Sequence, residues 1–231
     1  MIYVMADIHG NERRFRSVLD QIDLKPEDTL YILGDVVDRH PHGIRLLREI
    51  MSAKNMKMLL GNHEYMMLRA LGCPYDSYVD DGGAMDHWYR NGGEVTHYGW
   101  DCLDETARAE VRKYLQKLPL HFDIEVAGKA YKLVHGAPVE MRFFEPSYKT
   151  IAHFAVWKRL GGMDQCPKGE ILVFGHTPTK YYQDNVPLSV WFGPGMIGID
   201  CGSGYPEGDI GRLACLRLDD GKVFYSEEVR P

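Results

Sequence analysis

Five short motifs combine residue types that bind divalent metals: Asp7-Ile8-His9-Gly10, Gly34-Asp35-Val36-Val37-Asp38-Arg39, Gly61-Asn62-His63-Glu64, Val134-His135-Gly136 and Gly175-His176-Thr177. Each ends or immediately follows an apolar run. Carboxylates, imidazoles and an amide oxygen are the donors that divalent Mn, Fe and Zn ions accept together. A site for two such ions also needs one anionic ligand able to bridge them. A lone His behind an apolar run, such as His135 or His176, is ordinarily an edge or core residue. The argument comes from the whole set in order, and above all from the restrictive G-D-x-x-D-R and G-N-H-E patterns.

The elements needed to converge these motifs are legible in outline. A strand, loop, helix rhythm fills the first part: strands over 2–6, 29–33 and 56–60, helices over 12–21, 43–53 and 64–71. Strands alternating with helices pair in parallel within a buried sheet. Asp7 and His9, Asp35 and Asp38, and Asn62 and His63 follow these strands, at the carboxyl edge where open α/β sheets place ligands. Residues 72–118 change to Gly, Asp, Tyr and Trp-rich loops with helices expected over 84–90 and 105–117, as an insertion over the sheet edge. Residues 121–126 and 131–135 read as an antiparallel hairpin around Ala127-Gly128-Lys129-Ala130. Strands are then expected over 171–174, 196–200, 213–218 and 223–227. No repeat or linker interrupts the chain, so one α/β domain over 1–231 is expected.

Composition narrows the function classes. The 231 residues are 45% hydrophobic and 26% charged, enough to bury a sizeable core. Lys and Arg total 27 against 33 Asp and Glu, and the basic residues are scattered, which argues against nucleic acid as the main partner. The apolar run at 1–6 is too short for a signal-peptide core, and no stretch has the length of a membrane span. Five cysteines without a Cys-x-x-Cys pair indicate neither a disulfide framework nor a thiolate zinc site; a reducing cytoplasm is expected.

The five motifs resemble the phosphoprotein phosphatase family of calcineurin-like metallophosphoesterases, in particular the bacterial branch that includes bacteriophage lambda phosphatase. The resemblance extends to Val156-Trp157-Lys158-Arg159, to Ile199-Asp200-Cys201-Gly202 and to the closing segment 211–218. It implies an α/β fold with a central β-sandwich flanked by helices. It also implies two divalent metal ions, Mn2+ foremost, with Asp7, His9 and Asp35 on one and Asp35, Asn62, His135 and His176 on the other. Asp35 would bridge, and the paired ions would activate a water for in-line attack on phosphorus. His63 is the implied general acid, oriented by Asp38, and Arg39 and Arg159 the implied phosphate-binding groups.

The activity implied is protein serine/threonine phosphatase, acting on a phosphoprotein or phosphopeptide, with no nucleic acid or membrane partner. Symmetric diadenosine tetraphosphate hydrolase is the alternative enzyme; those enzymes typically read G-D-x-V-A-R and G-N-H-D, whereas Asp38 and Glu64 stand here. An inactive scaffold is the alternative of another class, and the complete motif set argues against it. His40 replaces the family's usual Gly after D-R and, with His42, is read as a rim loop residue. Cys201 stands where relatives often carry Thr and is read as structural. Methionines 56, 58, 66 and 67 read as core filling, and Trp191 and Phe192 as part of an apolar loop over 187–194.

Overall fold

Along the first strand, β1 (Ile2–Met5), Tyr3 and Met5 face one way while Val4 and the following Ala6 face the other, as the two-residue period of a strand requires. The same alternation recurs through the chain and sorts its apolar residues into three cores. The computed structural model describes residues 1–77, 82–144, 147–166, 169–206 and 210–227.

After β1 come α1 (Glu12–Ile22), β2 (Thr29–Ile32), α2 (Gly43–Ser52), β3 (Met56–Met58) and α3 (Asn62–Ala70). The insertion carries α4 (Ala84–Arg90), α5 (Glu94–Asp101) and α6 (Glu105–Leu115). Then follow β4 (His121–Val126), β5 (Lys129–Val134), α7 (Ile151–Trp157), β6 (Ile171–Phe174), β7 (Trp191–Gly193), β8 (Met196–Gly198), β9 (Ala214–Arg217) and β10 (Val223–Tyr225).

Two five-stranded sheets result, ordered β10-β9-β1-β2-β3 and β4-β5-β6-β8-β7. β1, β2 and β3 pair in parallel, as the strand-helix rhythm requires, while β9 closes antiparallel on β1. In the second sheet β5, β6 and β8 are parallel, with antiparallel β4 and β7 at the edges.

Between the sheets lie Val4, Tyr31 and Leu33 from the first and Tyr131, Leu133 and Val173 from the second. The outer face of the first sheet, with Tyr3, Met5, Leu30 and Ile32, packs on Phe15, Leu47 and Met67 from the helices. Outside the second sheet, Val134, Leu172 and Phe174 meet Phe154 of α7. Each fully buried side chain of this size contributes roughly 1.5–3 kcal/mol, so three separate cores hold the α/β/β/α layering. Met58, Met66 and Met67 are buried in the first core with Met56 against it, as expected for gap-fillers.

Several expectations need correction. The 187–194 segment is not simply a loop: Trp191–Gly193 forms β7, because Trp191 stacks on Tyr182 with ring centroids 4.7 Å apart while Phe192 on the opposite face is 58% exposed. Helices α5 and α7 lie where the sequence pattern predicts none. α5 begins among glycines and has one buried stripe, Thr96 and Trp100; α7 is short and capped by the Thr150 side chain. The hairpin turn is two residues, Ala127 and Gly128, both at positive φ, as the twist of a two-residue hairpin demands. No disulfide joins any of the five cysteines, and no helix among the described residues is long and apolar enough to cross a membrane.

Candidate metal centre and phosphate pocket

Asp7, His9, Asp35, Asp38, Arg39 and His176 all adopt left-handed backbone, with φ between 52° and 73°. For residues with a side chain such geometry costs about 1 kcal/mol or more each, and here it turns successive loops toward one point. The strain is held by bonds between the first two loops: the N–H groups of Asp7, His9 and Gly10 donate to the carbonyls of Gly34, Asp35 and Val36 at 3.1, 2.9 and 2.7 Å. Gly10 has to be glycine, since a Cβ there would stand 2.3 Å from the His40 carbonyl oxygen. Glu64, fully buried, fixes the second loop from below, its carboxylate accepting the N–H groups of Asp35 (2.9 Å), Val36 (2.8 Å), Val37 (3.2 Å) and Gly61 (3.1 Å). Burial, aided by the charge of Asp35, pushes Glu64 up to about 7; the amide groups oppose this and favour the ionised form.

Asp35 lies at the centre of the resulting cluster. Its Oδ1 is 3.5 Å from His135 Nε2, while its Oδ2 is 3.8 Å from His9 Nε2 and 3.9 Å from His63 Nε2. These separations exceed hydrogen-bond length. Two donors bound at about 2.1 Å to one cation lie roughly 3–3.5 Å apart, so the spacing fits ligands aimed at shared ions, with one carboxylate oxygen directed to each side. Donor atoms of His9, Asp35 and His63 lie within 4.8 Å of one another, as do those of Asp35, His135 and His176. His9 Nδ1 and His135 Nδ1 face the carbonyls of Val37 (3.2 Å) and Leu33 (2.6 Å), which leaves each Nε2 for the centre. Asn62 Oδ1 stands 2.9 Å from His135 Nε2. The Asp7 carboxylate takes the His176 N–H at 3.1 Å and lies outside both groups of donors.

The electrostatics separate four equally buried histidines. Burial holds His9, His135 and His176 below the ordinary imidazole range, for His9 and His176 well below, which keeps them neutral as ligands must be. His63 is the exception: burial disfavours its charge, but Asp35 and Asp38 outweigh it and the pKa is raised. Its Nδ1 is 2.6 Å from Asp38 Oδ2. Position alone would let His63 serve as a ligand beside His9, whereas its protonation preference and its carboxylate partner suit a proton donor. Burial and the charges of Asp200 and Asp35 raise Asp7 well above the carboxylate range. Burial likewise pushes Asp200 up to about 6. Such crowding of carboxylates is relieved by bound cations, and the donor set fits two divalent metals.

Asp7, His9, Asp35, Asn62, His63 and His176 line a cavity of about 540 Å³ whose wall also includes Arg39, Arg159, Asp200, Tyr181 and Tyr205. Arg159 lies just beyond α7 and is tethered through Nη1 to the His176 carbonyl at 2.9 Å. Arg39 Nη2 lies 3.2 Å from His63 Nε2. His40 is outside the cluster, its Nε2 3.3 Å from the Tyr205 carbonyl. Cys201 is buried between the sheets, and burial raises its thiol well above the usual range. Sequence reasoning missed Asp200 as a site residue, although it follows the apolar run 196–199 just as Asp7 and Asp35 follow theirs. It also missed Tyr181 and Tyr205, which carry no local signal.

The sequence model of calcineurin-like phosphoesterases matches residues 1–197. A symmetrical bis(5'-nucleosyl)-tetraphosphatase of Paracidovorax citrulli is 26% identical over 197 residues, covering 82% of this chain but only 62% of the relative's own length. A protein of the same name from Aromatoleum aromaticum is 24% identical over 278 aligned positions, covering 96% of this chain and 95% of the relative. Among solved structures, a candidate diadenosine tetraphosphatase superposes with a TM-score of 0.61 at 17% identity, covering 97% of this chain and 91% of the other, a likeness of fold.

Proposed function

The chain belongs to the calcineurin-like phosphoesterase family, and on that premise we propose that it hydrolyses a dinucleoside polyphosphate, first of all diadenosine tetraphosphate, which it cleaves symmetrically. The observation that carries this reading is the match to two relatives of that name along 82% and 96% of the chain. It reverses the order expected from the motifs alone, which put a phosphoprotein first and diadenosine tetraphosphate second. The cavity chemistry is consistent with it: Arg39 and Arg159 supply planar donors for phosphate oxygens beside the carboxylate-imidazole cluster.

His9, Asp35, Asn62, His135 and His176, with Asp7 close by, would hold two divalent cations, Mn2+ foremost, which would supply Lewis acidity and an activated water. The protein's own groups do the rest. Asp35 directs one oxygen to each side of the cluster; Arg39 and Arg159 bind and orient the phosphoryl group as negative charge develops on it. His63 donates a proton from Nε2 to the leaving oxygen while Nδ1 stays on Asp38.

That last pair favours a second reading. A nucleoside diphosphate leaves as a stable anion with little need of an acid, whereas a serine or threonine alkoxide needs one. The 2.6 Å contact between His63 and Asp38 therefore supports a phosphoprotein as substrate. A side-by-side measurement of kcat/KM with Mn2+ on diadenosine tetraphosphate and on a phosphoserine peptide decides between them. ADP as the sole nucleotide product, with a clear preference over the peptide, is the expected result; a preference for the peptide overturns it in favour of the phosphatase reading.

A further inference from the structure

The Asp38 carboxylate has a second side-chain partner. The indole Nε1–H of Trp88, from α4, lies 3.0 Å from Oδ1 and 2.9 Å from Oδ2, and both residues are completely buried. An indole N–H is a donor only and does not titrate near neutral pH. Shared between both oxygens, it fixes the plane of the carboxylate, which a single contact to His63 would leave free to rotate.

The ring is itself immobilised. A Cβ at position 93 would lie 2.5 Å from the indole Cδ1 and Nε1, so the Gly93 backbone is pressed against the edge that carries the donor. The His97 ring packs 5.6 Å from that of Trp88. The same segment reaches the Asp38-Arg39 pair twice more: Thr96 Oγ1 accepts the Asp38 N–H at 2.8 Å, and the Gly92 carbonyl accepts the Arg39 N–H at 2.9 Å. Three contacts from residues 88–96 thus hold two adjacent residues that both carry left-handed backbone.

We propose that Trp88 is a positioning residue for proton transfer, holding the Asp38 carboxylate in one plane so that His63 presents Nε2 to the leaving group. The proposal rests on the reading of His63 as the proton donor. The proton that moves is the one on His63 Nε2, which passes to the leaving oxygen as the phosphorus-oxygen bond breaks. The Nδ1 proton stays between His63 and Asp38, and the indole proton is never transferred.

The test uses the Mn2+-loaded enzyme and a series of phosphate monoesters, from 4-nitrophenyl phosphate through less acidic phenols to an alkyl phosphate. Trp88→Phe keeps most of the bulk and removes the donor. Its kcat is expected to fall about tenfold on the alkyl ester and less than twofold on 4-nitrophenyl phosphate, with KM and metal content unchanged. In an Asp38→Asn background Trp88→Phe should add nothing, since its effect passes through that carboxylate. Should Trp88→Phe fold poorly, replacing Trp88 by benzothienylalanine, which has sulfur in place of N–H, keeps the shape and should give the same slope. A uniform loss along the series, or a loss that adds in full to that of Asp38→Asn, overturns the proposal. His63→Asn is the control. If it is steep while the Trp88 variants are flat, Trp88 alone is misassigned; if it is flat too, the proton-donor reading falls and the proposal with it.

Discussion

Arg39 Nη2 lies 3.2 Å from His63 Nε2, the nitrogen from which a proton would reach the leaving group. A guanidinium has only donors, so this contact favours a bare Nε2 and opposes the protonation that Asp35 and Asp38 promote on the same ring. A phosphoryl group entering the cavity offers the guanidinium a stronger, charged acceptor and frees Nε2 to be protonated. Arg39→Ala is therefore expected to lower kcat/KM by about 10–100-fold, the loss of a charged hydrogen-bonding group of roughly 1.5–3 kcal/mol. Arg159→Ala should cost less, because that guanidinium is already tethered to the His176 carbonyl. Steady-state kinetics beside metal analysis checks both; an Arg159→Ala enzyme with unchanged kcat and KM would remove that residue from the phosphate site.

Asp35→Asn should empty both metal positions together. The carboxylate faces His135 with one oxygen and His9 with the other, and an amide gives up the anionic charge each cation needs. Metal analysis after dialysis should find well under one ion per chain, with activity lost while circular dichroism stays that of the folded protein. Two ions still held at near-normal rates would exclude Asp35 as the bridge.

How far the sequence foretold this site depended on how local each signal was. The strand-helix rhythm of the first 71 residues was legible because period-two and period-3.6 patterns alternate there, and it placed Asp7, Asp35 and Asn62 on one rim. The division into two sheets was not: β9 pairs with β1 across some 210 residues, and nothing in the 211–218 run names its neighbour. The role of Glu64 is not legible in its motif, because three of its four bonds go to the backbone of another loop. Trp88 lies in a stretch that read as an insertion, and its partner Asp38 is fifty residues away.

Glu64→Gln tests whether that buried carboxylate holds the second loop in its strained shape. A glutamine presents one NH2 group toward amide donors that now meet oxygen, turning attraction into repulsion within a buried site. Leaving such donors unsatisfied costs about 1–3 kcal/mol. The variant should unfold at a lower temperature and lose activity although Glu64 touches no substrate; calorimetry and kinetics together check this. Unchanged melting would mean that the loop holds its shape without Glu64.

In the metal-free protein His63 should titrate above the ordinary imidazole range. Burial opposes the charge, but Asp35 and the hydrogen-bonded Asp38 together overcome it. The sign for stability follows from proton linkage: a group whose folded pKa is raised binds its proton more readily folded than unfolded. Its contribution is therefore fully present below about pH 6.5, the unfolded value, and disappears as pH rises through the folded one. Asp38→Asn removes a carboxylate that supports the imidazolium, so the His63 titration should move down in pH and the loss of stability with rising pH should be smaller and complete at a lower pH. Arg39→Ala should move it up, since the guanidinium opposes a proton on the same ring. Two-dimensional NMR of the imidazole resonances across pH 5–9, in the wild type and both variants, measures the shifts directly. A His63 resonance that titrates below the ordinary range in the wild type, or that ignores both substitutions, would show that the Asp38 contact does not favour the protonated ring.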